Sequence, residues 1–264
     1  GERMRLSTCT GVIWAGNHKL ISIGVHNFSL DTYQFDPKVP SLVAYRHENL
    51  SNFQKAVLGQ LENITISNDS SLVAVSNNGA SGIHLYTISN DHLTHLAEIP
   101  KVGWWNHGVR FSREMDYLVY TLFGNPGKIM LFRILKNEEN EISLNLCQEM
   151  DVELFPLQPK GIDFSIDDRF IVVCHAINNS KTKNPLSGAI TVYPFDKING
   201  KIDPTPVFFL KDPQLLSVPE DLSFYPDGSC FMVTNHGNDT ITIHDFDQET
   251  GNILGSEVLL KNPK

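Results

Sequence analysis

What this chain lacks narrows it first. No window approaches 18 consecutive apolar residues, so no transmembrane helix is expected. Gly1-Glu-Arg-Met-Arg-Leu6 is not built like a signal peptide, although a removed one would leave no trace, and it is the cysteine usage that makes a cytoplasmic location the expectation. Lys and Arg form no cluster and the formal net charge is −9, which argues against a nucleic-acid backbone as partner. The four cysteines, Cys9, Cys147, Cys174 and Cys230, show no C-x-x-C or other metal spacing. Cys174 and Cys230 lie inside apolar runs and read as buried thiols. There is no Gly-x-Ser-x-Gly, no P-loop and no His-Glu-x-x-His. Helical periodicity is missing too: Asn52 to Gly59 makes at most two turns, and nothing supplies the crossover helices of a parallel α/β fold. With 41% hydrophobic and 19% charged residues, the chain is nevertheless a soluble globular one rather than a disordered one.

What is present is a repeat. An alternating strand, a polar turn and an apolar strand recur five times, beginning at Gly11, Asn63, Gly108, Gly161 and Asp221. Trp14, Ile66, Phe111, Phe164 and Phe224 are equivalent, at spacings of 52, 45, 53 and 60 residues. The intervening turns are Gly16 to Lys19, Asn68 to Ser71, Arg113 to Asp116, Ile166 to Arg169 and Pro226 to Ser229, rich in residues that tolerate a left-handed backbone. Third strands follow at Ser29 to Phe35, Gly82 to Ile88, Lys128 to Ile134, Ala189 to Phe195 and Thr240 to Phe246. Weaker fourth strands follow at Ser41 to Tyr45, His95 to Ile99, Ser143 to Leu146, Val207 to Leu210 and Glu257 to Leu260. Four-stranded antiparallel units at this period are propeller blades. The expectation is an all-β fold, one β-propeller domain over residues 1–264 with repeats at about 9–50, 61–101, 106–150, 159–212 and 219–264. Five blades closing a small ring and a piece of a six- or seven-bladed ring both fit.

The last repeat carries a family resemblance. Pro219-Glu-Asp-Leu-Ser-Phe, Pro226-Asp-Gly228, the apolar run Cys230 to Thr234, Asn235 and the Thr250-Gly251 ending resemble a blade of the lactonase-like, YVTN-type propellers. Pro159 to Ser165 and Asp196 to Gly200 show weaker versions, and WD40-like blades share parts of the pattern. The resemblance implies a lactone-opening hydrolase, with Arg or His after the Pro that opens strand one and Arg after the strand-two Asn. Pro159-Lys160, Pro219-Glu220 and Asn235-His236 stand at those places. Lys160 keeps the positive charge and Glu220 reverses it.

In a propeller, loops leading into strand one and out of strand two open on the same face. That face is expected to carry His26, Asn63, Asn77, Asn78, Trp105, His107, Lys160, His175, Glu220, Asn235 and His236. The insertion from Ile177 to Ser187 overhangs it. Asn and Gly at strand ends also serve simply as turn residues. Trp105, next to Trp104, reads as a lining or contact ring. A metal needs three or four converging ligands, and neither a metal nor a cofactor is expected. The expectation is a non-catalytic binding or scaffold module that takes a protein, peptide or small ligand on this face. Partners in a membrane or a nucleic acid are not expected. The reading set beside it is a lactonase-like hydrolase whose candidates are Glu220, His236, His175 and Lys160.

Overall fold

A computed structural model describes residues 9–15, 19–24, 29–36, 38, 41–49, 61–78, 81–89, 92–100, 105–124, 126–139, 141–154, 156–177 and 188–261. His26, Trp104, the short helix expected at 52–59 and the insertion at 178–187 lie outside these residues. Among the described residues every regular element is a strand. The first sheet joins β1 (Cys9–Trp14), β2 (Lys19–Gly24), β3 (Ser29–Asp36) and β4 (Ser41–Asn49) in sequence order. The second joins β5 (Leu61–Ile66), β6 (Leu72–Asn77), β7 (Ser81–Ser89) and β8 (His92–Pro100). The third joins β9 (Trp105–Phe111), β10 (Tyr117–Phe123), β11 (Gly127–Lys136) and β12 (Ile142–Val152). In the fourth, β13 (Leu157–Phe164), β14 (Phe170–Ile177) and β15 (Gly188–Asp196) are followed by β16 (Lys201–Ile202) and β17 (Phe208–Leu210), both paired with β15. The fifth joins β18 (Pro219–Phe224), β19 (Cys230–Asn235), β20 (Thr240–Phe246) and β21 (Ile253–Lys261). These antiparallel meanders are β-propeller blades, as the repeat predicts. The outer strand of the fourth blade is split where the sequence predicts one short strand. Pro204 and Pro206 lie between its halves and have no N–H to give a ladder.

The chain divides into two compact units, residues 1–109 and 110–264, the division falling inside β9. In the first, Ile21, Ile23, Leu61, Ile64, Val73, Val75 and Tyr86 form one core between the first two blades. In the second, Val119, Leu131, Ile162, Phe164, Ile171 and Phe195 join blades three and four. Val172, Ile190, Leu222, Phe231 and Phe246 join blades four and five. Within each unit these blades bury apolar faces on one another, at about 1.5–3 kcal/mol per fully buried large side chain.

The turn between strands one and two is built the same way four times. The N–H groups of Ser67, Ser112, Ser165 and Tyr225 bond the carbonyls of Leu72, Tyr117, Phe170 and Cys230. Each turn needs one left-handed residue, and Ser70, Met115, Asp168 and Gly228 take it at φ 58°, 63°, 56° and 73°. Only the last is the glycine that this conformation favours.

Strand one carries a second repeated device. Pairing with strand two slips by one residue between Cys9 and Gly11, Leu61 and Asn63, Pro159 and Ile162, and Pro219 and Asp221. A bulge leaves one residue out of the ladder and re-aims its side chain. Glu62 and Glu220 are such residues, and Lys160 lies inside the third slip.

Candidate functional site

The bulged segments carry Glu62, Lys160 and Glu220 at matched positions of their blades, and His107 stands at the same place in the third. Glu62, His107, Lys160 and Glu220 each stand four residues before the equivalent Ile66, Phe111, Phe164 and Phe224. In the first unit, Asn78 Nδ2 donates to Glu62 Oε1 at 2.7 Å, and His107 Nδ1 lies 3.9 Å from Glu62 Oε2. In the second, Lys160 Nζ meets Glu220 Oε2 at 2.5 Å and lies 5.5 Å from the centre of the Phe123 ring. Thr121 Oγ1 donates to the Lys160 carbonyl and fixes the backbone from which the ammonium extends.

Glu220 also lines a cavity of about 420 Å³ with Asn235, His236, Asp239, Thr240 and Lys261. His236 is exposed, and its turn is held by two backbone bonds: His236 N–H to the Val218 carbonyl at 3.0 Å and Gly237 N–H to the Ser217 carbonyl at 2.8 Å. A Cβ on Gly237 would lie 2.9 Å from the Ser217 carbonyl oxygen as well as 2.4 Å from Ser217 Oγ, so a side chain here would force the turn to shift. Asn235 is buried; its Nδ2 donates to Thr242 Oγ1 at 3.2 Å while Oδ1 has no partner among the described residues. An acceptor left in that state costs about 1–3 kcal/mol, and a donor from a ligand in the cavity would recover it.

The other predicted residues are placed differently. His175 is fully buried, bonded through Nε2 to Thr191 Oγ1 at 2.6 Å, and does not line the cavity. Burial pushes its imidazole down to about 3. Asn63 is buried in its strand, its N–H donating to Ser76 Oγ at 2.8 Å. Asn77 is buried; its carbonyl accepts from Asn106 Nδ2 at 3.0 Å and its amide faces His84 Nε2 at 3.1 Å. Burial, and then the neighbouring His95, push His84 down to about 4. Trp105 is exposed. Asn77, His175 and Asn235 are structural equivalents, each at the same register of strand two and reaching a polar group of strand three.

Behind the Lys160–Glu220 pair lies a network that the sequence reading missed. Arg110 Nη2 donates to Asp221 Oδ2 at 2.9 Å and to the Leu222 carbonyl at 3.2 Å. Arg113 Nη2 donates to Asp163 Oδ2 at 3.1 Å and to the Phe164 carbonyl at 2.9 Å. Asp163, 1% exposed, also accepts the N–H of Phe164 at 2.9 Å and of Phe224 at 3.0 Å. Burial works against the Arg110 charge, but Asp221 and Asp163 outweigh it and hold its pKa above the ordinary arginine value. The signal was in the repeats: Gly-Val-Arg-Phe-Ser and Gly-Ile-Asp-Phe-Ser put opposite charges at one register in adjacent blades. The buried, unbridged thiols of Cys174 and Cys230 are as expected. Among the described residues, no helix is long and apolar enough to cross a membrane.

No protein-family model and no curated sequence matches the chain. Its fold is similar to those of several solved structures. One is a Bacteroides uniformis protein with a proposed 6-phosphogluconolactonase activity, at TM-score 0.66 and 12% identity over 94% of this chain and 68% of that one. Another is the periplasmic gluconolactonase of Pseudomonas aeruginosa, at 0.65 and 18% over 96% and 69%. A third, from Bacteroides fragilis with the same proposed activity as the first, reaches 0.59 and 14% over 96% and 84%. At these identities the likeness shows the fold, that of lactonase-like propellers, and YVTN or WD40 membership is not part of it. The expectation of a non-catalytic scaffold is corrected here: proteins named as lactonases favour the hydrolase reading over it.

Proposed function

We propose that the chain is a lactonase-like hydrolase that opens sugar lactones in the cavity beside Lys160 and Glu220. The observation that carries this is the cavity wall itself. It joins a carboxylate paired with a lysine, a histidine on a pinned turn and a buried acceptor without a partner among the described residues. In the proposed reaction, a water attacks the lactone carbonyl and gives its proton to the imidazole of His236, which acts as general base. Lys160, oriented by Glu220, stabilises the oxyanion that forms. The ring C–O bond then breaks, and the departing alkoxide takes the proton back from His236, leaving a hydroxy acid. Asn235 Oδ1 accepts from a sugar hydroxyl. Of the lining residues, Glu220 and Asp239 outnumber Lys261, and Lys160 pairs with Glu220 from beside the cavity, which suits an uncharged lactone better than a phosphorylated one. The unbridged Cys147, Cys174 and Cys230 suit a reducing, cytoplasmic compartment.

The test is acid release from glucono-δ-lactone, compared with the uncatalysed rate. His236→Ala and Lys160→Met should each lower kcat by about 10²–10⁴, and Glu220→Gln should follow Lys160→Met. Hydrolysis no faster than the background, or a His236→Ala variant at full rate, would refute the assignment.

A further inference from the structure

Blade two holds a group of side chains away from the cavity just described. His84 is on β7, and His95 and Glu98 are on β8. One ligand atom from each lies within 4.8 Å of those of the other two. His84 Nδ1 and His95 Nε2 are 3.4 Å apart. Two nitrogens bound to one tetrahedral zinc at the usual bond length stand about 3.3 Å apart, so the imidazoles already span one edge of such a site.

The strand register explains how the three meet. Residues three apart on a strand point to opposite faces, so His95 and Glu98 should diverge. Leu85 pairs Ala97 but Tyr86 pairs His95, and the slip leaves Leu96 out of the ladder. The bulge reverses the alternation and returns His95 to the face of Glu98, which pairs directly with His84. Blade three is an internal comparison. Its β11–β12 ladder slips at the same place, between Leu131 and Phe132, with Met130, Leu146 and Glu149 at the three matching positions. The bulge therefore belongs to the blade, and the two histidines are what blade two adds.

The surroundings fit a ligand site. His84 is buried, His95 half-buried and Glu98 exposed, so an ion could reach the group from solvent past a side chain able to move. A metal on His84 Nδ1 requires Nε2 to carry its proton and donate it. The Asn77 amide stands 3.1 Å from Nε2, and half a turn of that amide presents its oxygen as the acceptor. Tyr86 packs edge-on against His95 at 5.5 Å between ring centres and limits its rotation.

We propose that His84, His95 and Glu98 form a binding site for a divalent transition metal, zinc by its donor set, with water completing the coordination. The site ties β7 to β8.

The experiment is titration of zinc into chelator-treated full-length protein by calorimetry, repeated with cobalt and read by its visible absorption. The expected result is one ion per chain, a tetrahedral cobalt spectrum, and affinity lowered at least tenfold in both His95→Asn and Glu98→Gln. Glu98 is exposed, so Glu98→Gln tests the site without threatening the fold. Cys147→Ser, which removes an exposed thiol on another blade, should leave the affinity unchanged. Absence of binding, binding undiminished in Glu98→Gln and His95→Asn, or loss of binding in Cys147→Ser would each overturn the proposal.

Discussion

Replacing Asp163 by alanine should destabilise the second unit severely. The carboxylate is 1% exposed and does three jobs: it accepts Phe164 N–H, accepts Phe224 N–H and pairs with Arg113. Alanine takes the acceptor from two main-chain donors, each worth about 1–3 kcal/mol when left unsatisfied in the interior. It also strips a buried countercharge from Arg113 and from Arg110, whose Nε is 4.0 Å away. Breaking a buried pair on one side costs about 3–5 kcal/mol. Much of the loss is shared between these descriptions, because Arg110 keeps Asp221 and Arg113 keeps the Phe164 carbonyl. The expected total is about 4 kcal/mol. In a unit of this size that lowers Tm by about 8–16 °C. Asp163→Asn retains one acceptor and loses the charge, and should cost about 2 kcal/mol. Urea unfolding of the wild type, Asp163→Ala, Arg113→Met and the double variant gives the coupling directly. A cost below about 1 kcal/mol for Asp163→Ala would refute the network as a source of stability.

Three further predictions concern the turns, the centre and acid. Met115 holds φ 63° without being glycine, so Met115→Gly should raise stability by about 1 kcal/mol in the same unfolding assay. At Gly161 an added Cβ would lie 2.5 Å from Asp221 Cα and 2.9 Å from Leu222 N. Backbone cannot step aside as a side chain can, so Gly161→Ala should cost about 3 kcal/mol. Burial depresses His175 to about 3 and His244 to about 4, below the ordinary 6.5. Each favours the fold while neutral, so its contribution is complete above pH 6.5 and is lost as pH falls towards the folded value. Tm should therefore drop between pH 6.5 and 4, and His244→Gln should flatten that drop; an unchanged slope would contradict it.

Much of the architecture is legible in the sequence because the repeat uses local signals. Alternation fixes the strands, and residues such as Asn68, Asp167 and Pro226-Asp-Gly228 fix the turns. The pairing of Lys160 with Glu220 is less legible, since the two are 60 residues apart and only the repeat register hints at it. His175 reads as a surface ligand because it follows the apolar run Ile171 to Cys174 and precedes an insertion, yet its strand continues to Ile177 and Thr191 and the core absorb it. The His84–His95–Glu98 group was invisible for a sharper reason. A strand read by alternation alone sends His95 and Glu98 to opposite faces, and the slip at Leu96 leaves no mark in the residue types.

Arrays of like repeats ordinarily couple only nearest neighbours, so they can fray one repeat at a time. Arg110 breaks that rule within the second unit. It leaves the third blade and bonds Asp221 and Leu222 of the fifth, skipping the fourth blade except for the nearby charge of Asp163. The fifth blade therefore cannot peel away without stranding a cation two repeats upstream. That long-range tether makes blades three to five a single cooperative unit, in which partial unfolding from the C-terminal side is penalised at the third blade, where no strand has yet moved.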